Sequence, residues 1–326
     1  MKQSDLIARL KRSAWITAAV FFLSALALSL WLYTTDKLSL SVFASYTRQV
    51  GGPTIITVAG LSLANFLLRA TRWHWYARQL RIPTQIHTSV NHYIAGFSMG
   101  VTPGRVGEII RLWMLNVDCQ TRYHRALPLL LADRVNDLLA IVVLALGASL
   151  ITTGVVSVGI LTAVALTFAA YFLLRHPQWL VAAVDGLYAL TRHLGRLFAG
   201  LRRSLRLGRE LFSSRNSAIA APLSFLAWFA ECVGFFVVLT ALDSTISLSS
   251  ATFIYAFATL VGALTFLPGG VGGFEATAIV LLGTSGIDSA TAIIAVTTIR
   301  IATLWFSVVL GWVFLTRYLV NLSRKL

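Results

Sequence analysis

The chain has 326 residues, of which 57% are hydrophobic and only 12% charged, with a formal net charge of +15. That composition excludes a soluble domain built on one core and predicts a polytopic, all-α membrane protein, because about 20 apolar residues of helix cross the hydrocarbon. Excess Lys and Arg in such a chain reports orientation and anionic lipid rather than nucleic acid, and two cysteines, Cys119 and Cys232, imply no disulfide framework.

In chain order, apolar runs predict full spans over roughly 14–34, 53–71, 128–151, 155–174, 218–242 and 289–316. The first follows Lys2, Arg9, Lys11 and Arg12 and contains Ala25-Leu26-Ala27, a cleavage-site lookalike. Its apolar run continues to Tyr33, too long for a signal peptide, so an uncleaved span is expected. Two further segments, roughly 88–116 and 251–286, are apolar but interrupted in the middle by Pro and Gly. Each half is too short to cross, so each segment is expected to be a hairpin entering and leaving on one side, or a pair of short crossings.

Charge sets the expected orientation. The basic amino terminus, the 72–87 loop (Arg72, Arg78, Arg81), Arg122 and Arg125, the 175–217 segment and the carboxyl terminus (Arg317, Arg324, Lys325) fall on the cytosolic side. The poorly charged 35–52 and 243–250 loops fall outside. Both termini are then cytosolic, in a bacterial-type inner membrane. Within 175–217, Leu187, Leu190, Leu194, Leu197 and Leu201 recur at helical spacing among arginines. This predicts a basic amphipathic helix in the headgroup layer.

The interruptions repeat. Pro103-Gly104-Arg105-Val106-Gly107-Glu108 returns as Pro268-Gly269-Gly270-Val271-Gly272, with Glu275 just beyond. The same offset lays the span near Pro53 onto the one near Ala218, and Asp133-Arg134 onto the neighbourhood of Arg300. An odd number of crossings separates the copies, so residues 53–151 and 218–316 are expected to form an inverted repeat within a single membrane domain covering 1–326. The first hairpin would open to the cytosol and the second to the outside. Such repeats with broken helices are a mark of secondary transporters.

Ionisable side chains within the membrane are functional candidates by default. Glu108 and Arg111 are three apart and Asp133 and Asp137 four apart, each pair sharing a helix face, with Arg134 beside the second. Glu231, Glu275 and Arg300 complete the set. A helix that starts at a Pro-Gly break offers free backbone N–H groups and a positive dipole end to phosphate or carboxylate. Gly104, Gly269, Gly270 and Gly272 allow close approach, and Arg105 suits bidentate phosphate recognition. The carboxylates would neutralise the arginines, contact a cationic headgroup or carry protons. The bland account, buried charges paired for folding, weighs about equally for Asp133, Arg134 and Asp137. Arg69 and Arg72 end a predicted span and are expected to snorkel to the headgroups. The histidines have no zinc-site spacing, no phosphate loop or nucleophile elbow is present, and no cofactor or metal is expected.

Phe97 through Arg111 (FSMGVTPGRVGEIIR), Asp133 through Leu139 (DRVNDLL) and Phe266 through Ala276 (FLPGGVGGFEA) resemble the lysylphosphatidylglycerol synthase transmembrane region family, also described as flippase-like membrane proteins. The usual pattern is PGR-x-GE with a following Arg, then E-R-x-x-D-L, then PGG-x-G-x-x-E. Asp133 stands where Glu is common and keeps the charge. The resemblance covers nearly the whole chain and three motifs in order. The large synthases carry an aminoacyl-transferase domain after the membrane part, which this sequence does not contain. The resemblance therefore implies the translocation half: a transporter rather than an enzyme, moving an anionic, aminoacylated or polyprenyl-phosphate-linked lipid. The expected partners are a lipid with a phosphate-containing headgroup and a lipid-modifying enzyme, with energy from a lipid gradient or from protons titrating Glu108, Asp133, Asp137, Glu231 or Glu275. The rival readings are an integral-membrane headgroup transferase and a non-catalytic lipid-binding accessory subunit.

Overall fold

A computed structural model describes residues 40–101, 108–154, 156–191, 194–265 and 267–324. The expected span at 14–34, and Gly104 and Arg105 of the first break, lie outside the described residues. Among the described residues every regular element is helical. Five helices are long and apolar enough to cross a membrane: Gln49–Gln79, Tyr123–Thr152, Val158–Arg175, Ser214–Ala241 and Ser289–Arg324. They coincide with the five corresponding spans read from the sequence.

The chain runs α1 (Leu40–Gln79), α2 (Ile86–Ala95), a 3₁₀ turn (Gly96–Met99), α3 (Ile110–Cys119), α4 (Tyr123–Thr153) and α5 (Val158–Arg175). After α6 (Gln178–Thr191) and α7 (Gly195–Leu211) come α8 (Ser214–Ala241), α9 (Leu248–Leu264), a 3₁₀ turn (Pro268–Gly270) and α10 (Gly273–Thr284). Then α11 (Ser289–Arg300), a π turn (Ile301–Trp305) and α12 (Phe306–Arg324) form one long helical run. A long helix, two short helices and a long helical stretch follow one another from α1 to α4 and again from α8 to α12. At 1.5 Å per residue neither α2 nor α3, with 10 residues each, reaches across about 30 Å of hydrocarbon.

Local chemistry sets the helix ends. Ser157 and Ser247 accept the N–H groups of Ile160 and Ser250 at the starts of α5 and α9. Asp288 accepts from Ala290 and Thr291 at the start of α11. Partial burial works against the Asp288 charge, and these hydrogen bonds overcome it, holding the carboxyl below its ordinary value. Within α1, Gly51 at φ 66° interrupts the helix two residues before Pro53. Beyond Gln79, Arg81 takes φ 53° and Ile82 N–H returns to the Ala77 carbonyl, closing the helix.

The leucine stripe of 187–201 is not carried by one helix. Leu194 adopts a left-handed conformation at φ 59°, and α6 and α7 are separate. Closing that corner brings Tyr188 against Phe198, ring centroids 5.5 Å apart, and Asp185 to Arg202 at 2.7 Å. Gly195 leaves room for the Tyr188 hydroxyl, which would lie 3.4 Å from a β-carbon there. Leu187, Leu190, Leu194 and Leu197 are all exposed.

The contacts divide the chain into two compact units. One comprises the described residues of Met1–Leu63, Ile94–Ile109 and Glu231–Leu326, the other Ala64–Tyr93 and Ile110–Ala230. In the first, Gly311 of α12 receives the backbone of Phe97 and Ser98, with no room for a β-carbon. Gly234 of α8 lies against Val58, Leu61 and Ile299. In the second, Gly200, Ser204 and Gly208 form a small-residue stripe along α7 that packs on α4 at His124 and Pro128, with the Ser204 hydroxyl donating to the His124 carbonyl at 2.7 Å.

Gly311→Ala is expected to destabilise by about 1–3 kcal/mol, because the clash is with backbone that has nowhere to go. Gly283→Ala, in α10 with open space around it, is expected to be neutral or to gain up to about 1 kcal/mol. Thermal unfolding of the detergent-solubilised protein checks both, and equal effects would refute the packing argument.

Candidate functional site

The second unit holds a cluster of buried charges. Its base is a polar stripe on α1: Asn65, Arg69 and Arg72 fall at i, i+4 and i+7, on one helical face. Asp133 and Asp137 of α4 share a face in the same way. Arg69 Nη2 meets Asp137 at 2.6 Å, and Arg72 Nη2 meets Asp137 at 2.8 Å and also pairs with Asp133. Arg111 of α3 reaches Asp133 at 3.4 Å. Arg134 lies 3.6 Å from Asp133 and 3.7 Å from Asp137, with 29% of its side chain exposed. Among the described ion pairs four arginines thus share two aspartates, and Arg69, Arg72, Arg111, Asp133 and Asp137 are all buried.

The surroundings hold this group in place. The Arg72 guanidinium also donates to the Ser224 hydroxyl and the Asp133 carbonyl. Asn65 donates to the Ala227 carbonyl at 2.8 Å, Tyr93 donates to Asp133 at 3.1 Å, and the Trp228 indole donates to Asp137 at 3.2 Å. The Arg111 guanidinium lies 3.9 Å from the centre of the Tyr93 ring, and Arg69 lies 5.2 Å from that of Trp228. Aromatic faces are a natural wall for buried guanidinium groups.

The first unit holds the second break. The hairpin is tight because Gly262 of α9 lies against Gly270, Gly273 and Phe274, where a β-carbon would meet backbone at 3.1–3.3 Å. Gly269, Gly270 and Gly272 have φ values of 61°, 68° and 90°, a region that L side chains avoid. Glu275 accepts the Gly272 N–H at 2.6 Å and pairs with Arg300 at 2.6 Å. Arg300 also donates to the Gly269 carbonyl at 2.9 Å and lies over the Phe274 ring. Val101 lies against Gly269, 3.2 Å from where a β-carbon would be. Glu231 is buried in α8 and accepts the Tyr255 hydroxyl at 2.6 Å.

Of the candidates read from the sequence, Arg111, Asp133, Arg134 and Asp137 come together, as do Gly269, Gly270, Gly272, Glu275 and Arg300. Glu108 is buried in the turn that leads into α3. Arg69 and Arg72 do not snorkel. Helix α1 continues to Gln79 and turns both inward, so they are the main partners of the aspartates. The spacing of Asn65, Arg69 and Arg72 carried the signal. Tyr93, Ser224 and Trp228 gave none.

Arg72→Ala removes a cation from two buried aspartates and is expected to cost about 3–5 kcal/mol. Arg134→Ala loses long, partly solvated pairs with both aspartates and is expected to cost less than Arg72→Ala. Unfolding midpoints in detergent check this order, and the reverse order would overturn the cluster assignment. At the second break, Glu275→Gln keeps an acceptor for Gly272, whereas Glu275→Ala loses both partners. The alanine variant is therefore expected to unfold at the lower temperature, with a loss of about 1–3 kcal/mol.

The family described as "Lysylphosphatidylglycerol synthase TM region" matches residues 15–311. A UPF0104 membrane protein of Methanothermobacter thermautotrophicus is 24% identical over 243 residues, covering 68% of this chain and 71% of that protein. A second match to a UPF0104 membrane protein of the same organism is 29% identical over 123 residues, covering 38% of this chain and 37% of the relative. No solved structure matches. With its family match extending over most of its length, the chain belongs to the lysylphosphatidylglycerol synthase transmembrane-region family.

Proposed function

We propose that the protein is a lipid translocase, carrying an anionic, aminoacylated or polyprenyl-phosphate-linked lipid across the inner membrane, with both termini on the cytosolic side. The observation that carries this reading is the sharing of two aspartates by four arginines among helices apolar enough to span. Arginine matches a phosphate with two parallel hydrogen bonds. In this reading Arg134, the partly exposed member, is the first contact for an arriving headgroup, ahead of the buried Arg111 and Arg69. The aspartates compete with the phosphate for the same cations. Binding is then firm enough to admit a headgroup and weak enough to release it, as conduction requires.

The second break has a different part in this proposal. Arg300 and Glu275 brace it, and its glycines leave backbone close to any passing headgroup. Arg105 and Gly104 keep their proposed role at the first break on their sequence alone. Glu108, Glu231 and Glu275 are proposed to meet a cationic headgroup amine or to carry protons. Opposite orientation of the two α–break–α repeats would let exchange of their conformations give alternating access.

Reconstitution into liposomes tests the proposal. The pure protein is expected to move fluorescent phosphatidylglycerol or a polyprenyl phosphate between leaflets, and Arg134→Ala is expected to slow it by about ten-fold or more while remaining folded. Absence of transport, or transport indifferent to Arg134→Ala and Arg105→Ala, would reject the assignment. Because the family description names a synthase, chemical conversion of the lipid in the same assay would favour a headgroup transferase instead. Co-purification of an enzyme without transport would favour an accessory subunit.

A further inference from the structure

Away from the buried cluster, the second unit contains an open pocket of about 1130 Å³. Arg78 and Arg81 from the end of α1, Arg125 of α4, Arg175 of α5, and Arg206 and Arg209 of α7 line it, against a single carboxylate, Glu210. None of the six arginines has a carboxylate partner among the described ion pairs. Two are fixed in place: Arg125 donates to the Leu80 carbonyl at 3.1 Å, and Arg175 donates to the Phe212 carbonyl at 2.9 Å and to Ser214 at 3.2 Å. The walls are fixed too. The Gly200, Ser204 and Gly208 stripe seats α7 on α4, and Tyr171 of α5 hydrogen-bonds Ser217 at 2.7 Å.

Helix dipoles account for only part of this charge. Arg78, Arg175 and Arg209 occupy the last turns of their helices, where a cation is favoured. Arg125 is the third residue of α4, where a cation is disfavoured. Arg206 lies within α7, and Arg81 lies beyond the end of α1 in a left-handed conformation. Uncompensated guanidinium groups around one hollow repel each other and draw in anions. A single phosphate engages two or three guanidinium forks, and six arginines around one hollow offer more donors than that.

We propose that this pocket is a second anion site, distinct from the buried cluster, that takes a headgroup or small molecule bearing at least two phosphates. It does not depend on the translocase reading, and it fails or stands separately from it. Its test uses the full chain in detergent, titrated with inorganic pyrophosphate by calorimetry and with dioleoyl cardiolipin by native mass spectrometry. The triple variant Arg78→Gln, Arg206→Gln, Arg209→Gln alters exposed pocket residues. The variant Arg122→Gln, Arg203→Gln, Arg215→Gln removes the same charge from exposed positions that do not line the pocket.

The pocket triple is expected to weaken binding by about ten-fold or more, and the charge-matched control by much less. Binding of pyrophosphate alone would identify a soluble ligand. Binding of cardiolipin alone, or of both with mutual competition, would identify a lipid headgroup. Failure of both probes to bind, or equal weakening by the two triples, would overturn the proposal.

Discussion

Charge taken out of water inside an apolar bundle has to be met by charge, and this requirement organises the second unit. Asp133 and Asp137 are buried, and an isolated carboxylate there would cost several kcal/mol even after relaxation. Arg69 and Arg72 answer them from α1, which therefore has to lie with its polar stripe turned toward α4. Arg111 brings α3 to the same place. Ser224, Ala227 and Trp228 add α8 through hydrogen bonds to Arg72, Asn65 and Asp137. Four helices are thus oriented by one cluster, in a setting where apolar side chains gain little by facing one another rather than lipid.

The same economy of polar groups appears at the second break, with another purpose. A helix interrupted in the membrane exposes N–H and C=O groups that have to be satisfied within the protein. Glu275 takes an N–H and Arg300 takes a carbonyl, and the two hold each other. The first role of this pair is to make an interrupted backbone tolerable. Any part it plays toward a ligand is built on a group already engaged.

Much of this was legible in the sequence. Long apolar runs located the five described spans, and the second Pro-Gly phrase located the break between α9 and α10, because glycine and proline act locally. Asp133, Asp137, Arg111 and Arg134 stood out as charges in apolar surroundings. The roles of Arg69 and Arg72 were not legible from hydropathy, which falls wherever arginines begin and so ended the span early. Only their partners, more than sixty residues away, show that the helix continues and that this face is turned inward. Leu194 failed in the opposite sense. Its spacing fits an unbroken helix, and the contacts of Tyr188 with Phe198 and of Asp185 with Arg202, which favour a corner, are not visible in periodicity.

The helical run from Ser289 to Arg324 carries both contacts that matter to the breaks. Arg300 grips Gly269 on one side of the π turn, and Gly311 receives Phe97 and Ser98 on the other. A π turn holds one extra residue of winding relative to an α-helix, and moving or removing it rotates everything downstream by about 100°. Rewinding at Ile301–Trp305 would swing Gly311 away from its cradle while Arg300 stayed in place. The winding of this one run therefore sets the phase between the Gly269 contact and the Phe97–Ser98 cradle.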